Sequence, residues 1–196
     1  MSGIRLAIVS VTVIAFARTA WVVAGFVRTL LRGHSIVAAR WGWVEVLTIP
    51  EPLVLAGVTY ALVVHGPSQT LPSLLRVAGA VAGVAMALGG LALTGWAFLS
   101  LPSVGSGHYV LENQPIVDRG AYGWVRHPLY LAAFMIWLAL ALAYLSVLPL
   151  IVLALYVIPI YSLYIREEER LMTERYGDAY RQYRDRVGGL VPRQHA

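Results

Sequence analysis

Apolar runs of bilayer length alternate with short polar breaks along the whole chain. A hydrocarbon core about 30 Å thick needs roughly 20 apolar residues per helix. The pattern therefore predicts five spans, at 4–31, 43–64, 74–99, 129–145 and 147–165. The break at 65–73 (H-G-P-S-Q-T-L-P-S) carries Gly, two Pro and Ser and reads as a turn. Only residues 144–149 separate the last two runs, so spans four and five form a helical hairpin. Pro50 and Pro52 flank Glu51 and remove helical N–H donors, so the second helix kinks there or starts late. Pro159 is expected to bend the fifth span. Gly79 and Gly83 form a small-xxx-small face suited to close helix packing. Beyond the hairpin, Met172, Tyr176, Tyr180, Tyr183 and Val187 recur at helical spacing, and Arg181 and Asp185 stand four apart. Residues 166–187 are expected to form an amphipathic helix on the membrane or against the core. The fold class that follows is all-α and integral to a membrane. One structural domain holds three N-terminal spans (1–99) and a core of loop, hairpin and amphipathic helix (100–196).

Composition sharpens this picture. The 196 residues are 59% hydrophobic and 13% charged, with a mean hydropathy of +0.69. Soluble domains carry about 25% charged residues. The absence of cysteine excludes disulfides and thiolate chemistry. The 15 basic residues are all arginine, and the net charge of +5 suits cytoplasmic loops and anionic headgroups better than nucleic acid. The arginine-rich loop at 28–40, the 100–126 stretch and the tail lie on one side of the membrane by the positive-inside rule. This orients the N-terminus outside and the C-terminus inside, in what is expected to be a bacterial plasma membrane. Arg18 falls near the middle of the first span, either snorkelling or facing the bundle interior. Glu51 is either a partner for an intramembrane arginine or an interfacial elbow, and the rarity of buried charge favours the elbow.

Two charged knots bracket the hairpin. Arg126–Tyr130 (R-H-P-L-Y) stands at its entrance and Arg166–Arg170 (R-E-E-E-R) at its exit, and the hairpin returns both to one face. A pocket there would have Tyr122, Trp124, Arg126, His127 and Tyr130 on one wall and Glu167, Glu168 and Glu169 on the other. Such walls suit a zwitterion with a positive centre: carboxylates for an ammonium or ribose hydroxyls, arginine for a carboxylate, aromatics for a sulfonium. A structural reading stands beside this one. Acids at a helix start compensate the helix dipole, and R-H-P is also a membrane-interface stop with proline at the first helical position.

The same residues carry a resemblance. V-D-R-G-A-Y-G-W-V-R-H-P-L-Y (Val117–Tyr130), followed by E-E-E-R-L-M-T-E-R-Y-G-D-A-Y-R-Q-Y-R-D-R-V (Glu167–Val187), resembles the membrane methyltransferases of the isoprenylcysteine carboxyl methyltransferase and phospholipid methyltransferase superfamily. The shared positions are Gly120, Tyr122, Arg126, His127, Pro128, Tyr130, Glu168, Glu169, Tyr176, Gly177, Tyr180 and Tyr183. The resemblance covers about the last 80 residues; the first three spans carry no recognisable motif. It implies S-adenosylmethionine as methyl donor, with S-adenosylhomocysteine as product, in a cytosol-facing pocket. Gln114, Ile116, Val117, Gly120, Tyr122, Arg126, His127, Tyr130, Glu168 and Glu169 are the implied donor-binding residues. Arg126, Glu168 and Arg166 are the implied catalytic ones. Gln114 occupies a position where the carboxyl methyltransferases carry His, which sets this chain apart from that subtype. Gly105-Ser-Gly107 is similar to the short G-x-G of phospholipid N-methyltransferases.

A sulfonium-activated methyl asks the protein mainly to align a nucleophile and exclude water. A carboxylate acceptor needs only an orienting arginine, Arg126 or Arg166; an amine or hydroxyl needs a base, for which Glu168 and His127 are the candidates. No metal is expected, since no two histidines share a ligand-like spacing. The acceptor is expected to be lipid-like, most simply an isoprenylcysteine-type carboxylate, with a phospholipid amine or a small apolar acceptor as the alternative. An NADPH-dependent membrane reductase and a non-enzymatic scaffold are further readings. The sequence is silent on oligomeric state.

Overall fold

The computed structural model describes residues 2–31, 36–39, 50–66, 71–101, 109–111 and 115–193. In chain order these form α1 (Ser2–Leu31), β1 (Ile36–Ala39), α2 (Glu51–His65), α3 (Ser73–Ser100), β2 (Tyr109–Leu111), α4 (Ala121–Trp124), α5 (Pro128–Tyr144), α6 (Leu148–Val152), a π turn at Leu153–Val157, α7 (Ile158–Tyr176) and α8 (Asp178–Arg186). The all-α expectation holds. The short strands β1 and β2 pair antiparallel, with Ile36 opposite Leu111 and Ala39 opposite Tyr109. Among the described residues, three stretches are long and apolar enough to cross a membrane: Gly3–Gly25, Ser73–Ser100 and Leu148–Tyr176. Helices α2 and α5 are apolar but shorter.

Proline, glycine and one leucine set the boundaries. Helix α2 opens at Glu51 with Pro52 in its first turn, so the late start is the outcome; residues 43–49 lie outside those described. Pro128 opens α5, where its missing N–H costs nothing. The hairpin turns on Leu145, whose φ of 47° is left-handed, while the Ser146 N–H donates to the Ala141 carbonyl at 3.1 Å. Pro159 does not interrupt the helix from α6 to α7. Its absent N–H would have sought the Leu155 carbonyl, and that residue lies inside the π turn, where the bonding register has already shifted.

The tail corrects the expected boundaries. Rather than a separate helix over 166–187, α7 carries the fifth span straight through Arg166–Arg170 to Tyr176. The break comes at Gly177, whose φ of 55° only glycine adopts readily. The tyrosine stripe survives the break: Tyr180, Tyr183 and Val187 are buried together, with Ile116, Met172 and Tyr176 packed on them. Arg181 pairs with Asp178 at 2.6 Å, not with Asp185, because α8 begins one residue after the break and Asp178 lies in its first turn.

Helix α5 is the centre of the bundle, with Ile136, Trp137, Leu140 and Tyr144 buried against Val11 and Ala15 of α1, Ala87 of α3 and Tyr161 of α7. The α3–α5 seam is a glycine seam. A Cβ on Gly79 would stand 2.6 Å from the Leu142 carbonyl oxygen, and one on Gly83 would stand 2.8 Å from the Ala143 Cβ and 2.9 Å from the Ala139 carbonyl oxygen. Gly57 of α2, by contrast, has nothing within 4 Å. The same substitution should therefore have opposite signs at the two sites. Gly83→Ala forces α3 off α5 and is expected to cost about 1–3 kcal/mol. Gly57→Ala gains helix propensity and is expected to stabilise by up to about 1 kcal/mol. Thermal unfolding in detergent reads both.

A polar layer crosses the bundle near the start of α5. Arg18 is buried, 6% exposed, and donates from Nη2 to the Leu129 carbonyl at 2.7 Å. The Tyr161 hydroxyl lies 2.7 and 2.6 Å from the two oxygens of Glu51 and also interacts with Arg18. Arg18 thus faces the interior. Glu51, at the start of α2, meets it indirectly through Tyr161.

Candidate functional site

The site begins with backbone. After α8, the chain turns through Gly188-Gly189 and runs beside the segment that enters α5. Val125 bridges Gly188 in parallel, the Arg126 N–H donates to the Gly188 carbonyl at 2.8 Å, and the His127 N–H donates to the Gly189 carbonyl at 3.1 Å. This pairing holds the R-H-P segment against the tail. Before it, Gly120 sits at φ 61° with Ser100 directly where a Cβ would lie. The Ser100 hydroxyl accepts from the Ala121 N–H at 3.0 Å, which ties α4 to the end of α3.

Arg126 and His127 then meet Glu169 of α7. One oxygen, Oε1, accepts from Arg126 Nε at 2.9 Å and Nη2 at 2.6 Å, and lies 3.0 Å from His127 Nε2. The remaining Arg126 nitrogen, Nη1, donates to the carbonyls of Arg184 and Val187. Every nitrogen of this guanidinium is thus engaged by protein. On the other side of the ring, His127 Nδ1 lies 3.5 Å from Glu168 Oε2. Burial alone would lower the imidazole pKa, but hydrogen bonds and charge from Glu168 and Glu169 outweigh it and carry it up to about 9. His127 is therefore an imidazolium at neutral pH, bridging two carboxylates, and is not a proton acceptor there.

Aromatic side chains close the cluster. The Tyr130 ring lies 5.7 Å from His127 and 5.0 Å from Tyr161, and its hydroxyl interacts with Glu168. The Tyr183 hydroxyl donates to the Tyr122 carbonyl at 2.7 Å. Burial, with Glu168 nearby, pushes the Tyr122 hydroxyl far above its ordinary pKa, so it stays a neutral donor.

Of the residues singled out from sequence, the structure brings Arg126, His127, Tyr130, Glu168 and Glu169 into one cluster. Tyr122 packs beside it, and Ile116 lies under the tyrosine stripe. Val117 is half-buried in the extended segment before Gly120. Gln114, like Gly105-Ser-Gly107, lies outside the described residues. Arg166 does not join the cluster. It stands two residues before Glu168 on α7, nearly opposite it around the helix, and is exposed. Sequence reasoning missed Ser100, Tyr161 and the Gly188-Gly189 pair. The double glycine signals a turn, but nothing local says what it turns against.

Among the described residues no cluster of His, Asp and Glu could hold a metal ion. A small polar group is another matter. Glu168 Oε2 is buried without a hydrogen-bond partner. With the His127 ring nitrogen 3.5 Å away and no hydrogen bond made, this carboxylate oxygen keeps the capacity to accept from an ammonium or ribose hydroxyls, so the residues present fit an S-adenosyl donor.

The family model described as phospholipid methyltransferase matches residues 78–179, which span α3 to the first turn of α8. The chain is also similar to protein-S-isoprenylcysteine O-methyltransferase of Saccharomyces cerevisiae, 32% identical over 81 residues, or 41% of this chain. The match spans about a third of that relative's length, 34%.

Proposed function

This chain belongs to the phospholipid methyltransferase family and is a membrane methyltransferase, and we propose that it moves a methyl group from S-adenosylmethionine to a lipid-like acceptor presented from the bilayer. The observation that supports the donor half is the buried Glu168 Oε2, which faces the His127 ring at 3.5 Å but makes no hydrogen bond, among Tyr130, Tyr122 and His127. Bound S-adenosylmethionine would supply a methyl already activated on a sulfonium. Glu168 would hold the donor's ammonium or ribose, with Tyr122, Tyr130 and the backbone at Gly120 lining it, and with Ile116 and Val117 on the approach. Arg126 and Glu169 act as positioning residues, fixing His127 and so the wall against which Glu168 stands. The aromatic floor of Tyr130 and Tyr161 would keep water from the reacting groups.

An isoprenylcysteine-type carboxylate is the first acceptor reading, supported by the yeast relative. It needs no proton removed, but Arg126 is fully engaged and cannot orient it. A phospholipid amine is the second reading, favoured by the family model and by the Glu168 carboxylate, which stands beside His127 where a proton acceptor is wanted. The site would face the cytosol, where the donor is made.

Glu168→Ala is expected to weaken S-adenosylhomocysteine binding by about 10- to 100-fold, the loss of a charge-assisted hydrogen bond, by calorimetry on purified protein. Unchanged affinity would remove Glu168 from the donor site. Transfer of labelled methyl to a farnesyl-cysteine analogue or to phosphatidylethanolamine separates the two acceptors.

A further inference from the structure

A second polar feature lies on the other face of α7. Between α7 and α8 is a cavity of about 440 Å³ lined by Arg166, Glu169, Arg170, Thr173, Glu174, Arg181 and Arg184. Four guanidiniums meet two carboxylates there. Both carboxylates are already answered: Glu169 by Arg126 and His127 from the far side, Glu174 by Arg170 at 3.0 Å. Arg181 is held by Asp178. Arg166 and Arg184 form no ion pair with any described residue, and both are exposed. The cavity therefore offers two uncommitted guanidiniums and a positive field, which is the chemistry that recognises a phosphate or carboxylate.

Its position selects between a dissolved anion and a lipid. Helix α7 changes character within one turn, from I-P-I-Y-S-L-Y-I to R-E-E-E-R, so the cavity stands where an apolar span gives way to water. Below it the surface is apolar. Ile158 is 44% exposed, and it lies eleven residues, or three turns, before Glu169 on the same helix face. Leu155, in the π turn, is 76% exposed. A molecule with a phosphate in the cavity and hydrocarbon along Ile158 and Leu155 meets both surfaces at once.

We propose that the α7–α8 cavity is a headgroup site for a membrane phospholipid, its phosphodiester held by Arg166 and Arg184. The site is distinct from the donor cluster, with which it shares only Glu169, and it stands whichever acceptor is methylated. It also gives Arg166 a role that does not require it to reach Glu168.

The test is calorimetric titration of the detergent-purified full chain with three probes: dihexanoyl phosphatidylglycerol, dihexanoylglycerol and inorganic phosphate. Phosphatidylglycerol is expected to bind at least tenfold more tightly than either of the others, and to lose that margin in the Arg166→Gln/Arg184→Gln variant. The Lys/Lys variant should recover part of it. Equal affinity for dihexanoylglycerol overturns the site with no variant needed. Inorganic phosphate binding as tightly as the lipid overturns the membrane assignment, and full lipid affinity in the Gln/Gln variant overturns the arginine pair. Glu168→Ala keeps the two readings apart: it is expected to weaken S-adenosylhomocysteine binding but leave lipid affinity unchanged.

Discussion

Glu169→Ala is expected to destabilise the folded protein by about 3 kcal/mol, the low end for removing one partner of a buried ion pair. The single oxygen Oε1 receives Arg126 twice and His127 once, and these side chains are only 11% and 2% exposed. Removing it leaves a guanidinium and an imidazolium facing each other in a space with little water. Glu169→Gln should recover part of the loss, since its amide oxygen still accepts from Arg126 but carries no charge. The contact also carries a pH dependence. The folded state holds the His127 proton up to about 9, against the ordinary 6.5. A raised pKa means that the folded form binds the proton more tightly, so this stabilisation is complete below about pH 6.5 and fades as pH rises through about 9. At most it amounts to about 3 kcal/mol. Urea denaturation in mild detergent between pH 6 and pH 10 should show the decline in the native chain and a smaller one in Glu169→Ala. A flat profile in the native chain would mean that His127 is not charged.

Arg18→Ala is expected to cost about 3 kcal/mol as well, for a different reason. Arg18 ties α1 to the first turn of α5 through the Leu129 carbonyl, and acts on the Tyr161 hydroxyl that Glu51 also grips. Its loss opens a cavity and leaves Glu51 uncompensated in the polar layer. Adding Glu51→Gln removes the stranded charge, so the double variant should be more stable than the sum of the single losses by about 1 kcal/mol. Strict additivity would show that Arg18 and Glu51 are independent, and that the layer is two contacts rather than one network.

The spans were legible because helix formation in a bilayer is a local matter of apolar length, and turns are a local matter of Gly, Pro and Ser. The pairing of R-H-P with E-E was legible because a hairpin must return its ends to one face. The end of α7 was less so. Arg166 to Arg170 look like a boundary in hydropathy, yet a helix whose acids are neutralised by Arg126 and His127 has no reason to stop there, and it runs to Gly177. Arg181 and Asp185 do stand four apart within α8, but Arg181 pairs instead with Asp178, three residues back in the first turn of the same helix.

By itself, then, the sequence determined an all-helical membrane chain, its hairpin, and the residues Arg126, His127, Tyr130, Glu168 and Glu169 as one chemical group. Only the tertiary structure decided how that group is wired. It gave Glu169 to Arg126 and His127, left a Glu168 oxygen beside His127 without a hydrogen bond, turned Arg166 to the opposite side of α7, and joined Arg18 to Glu51 through Tyr161. The reason is geometric: these outcomes depend on the rotational phase of each helix and on contacts 42 to 111 residues apart, and neither is written in any local stretch of chain.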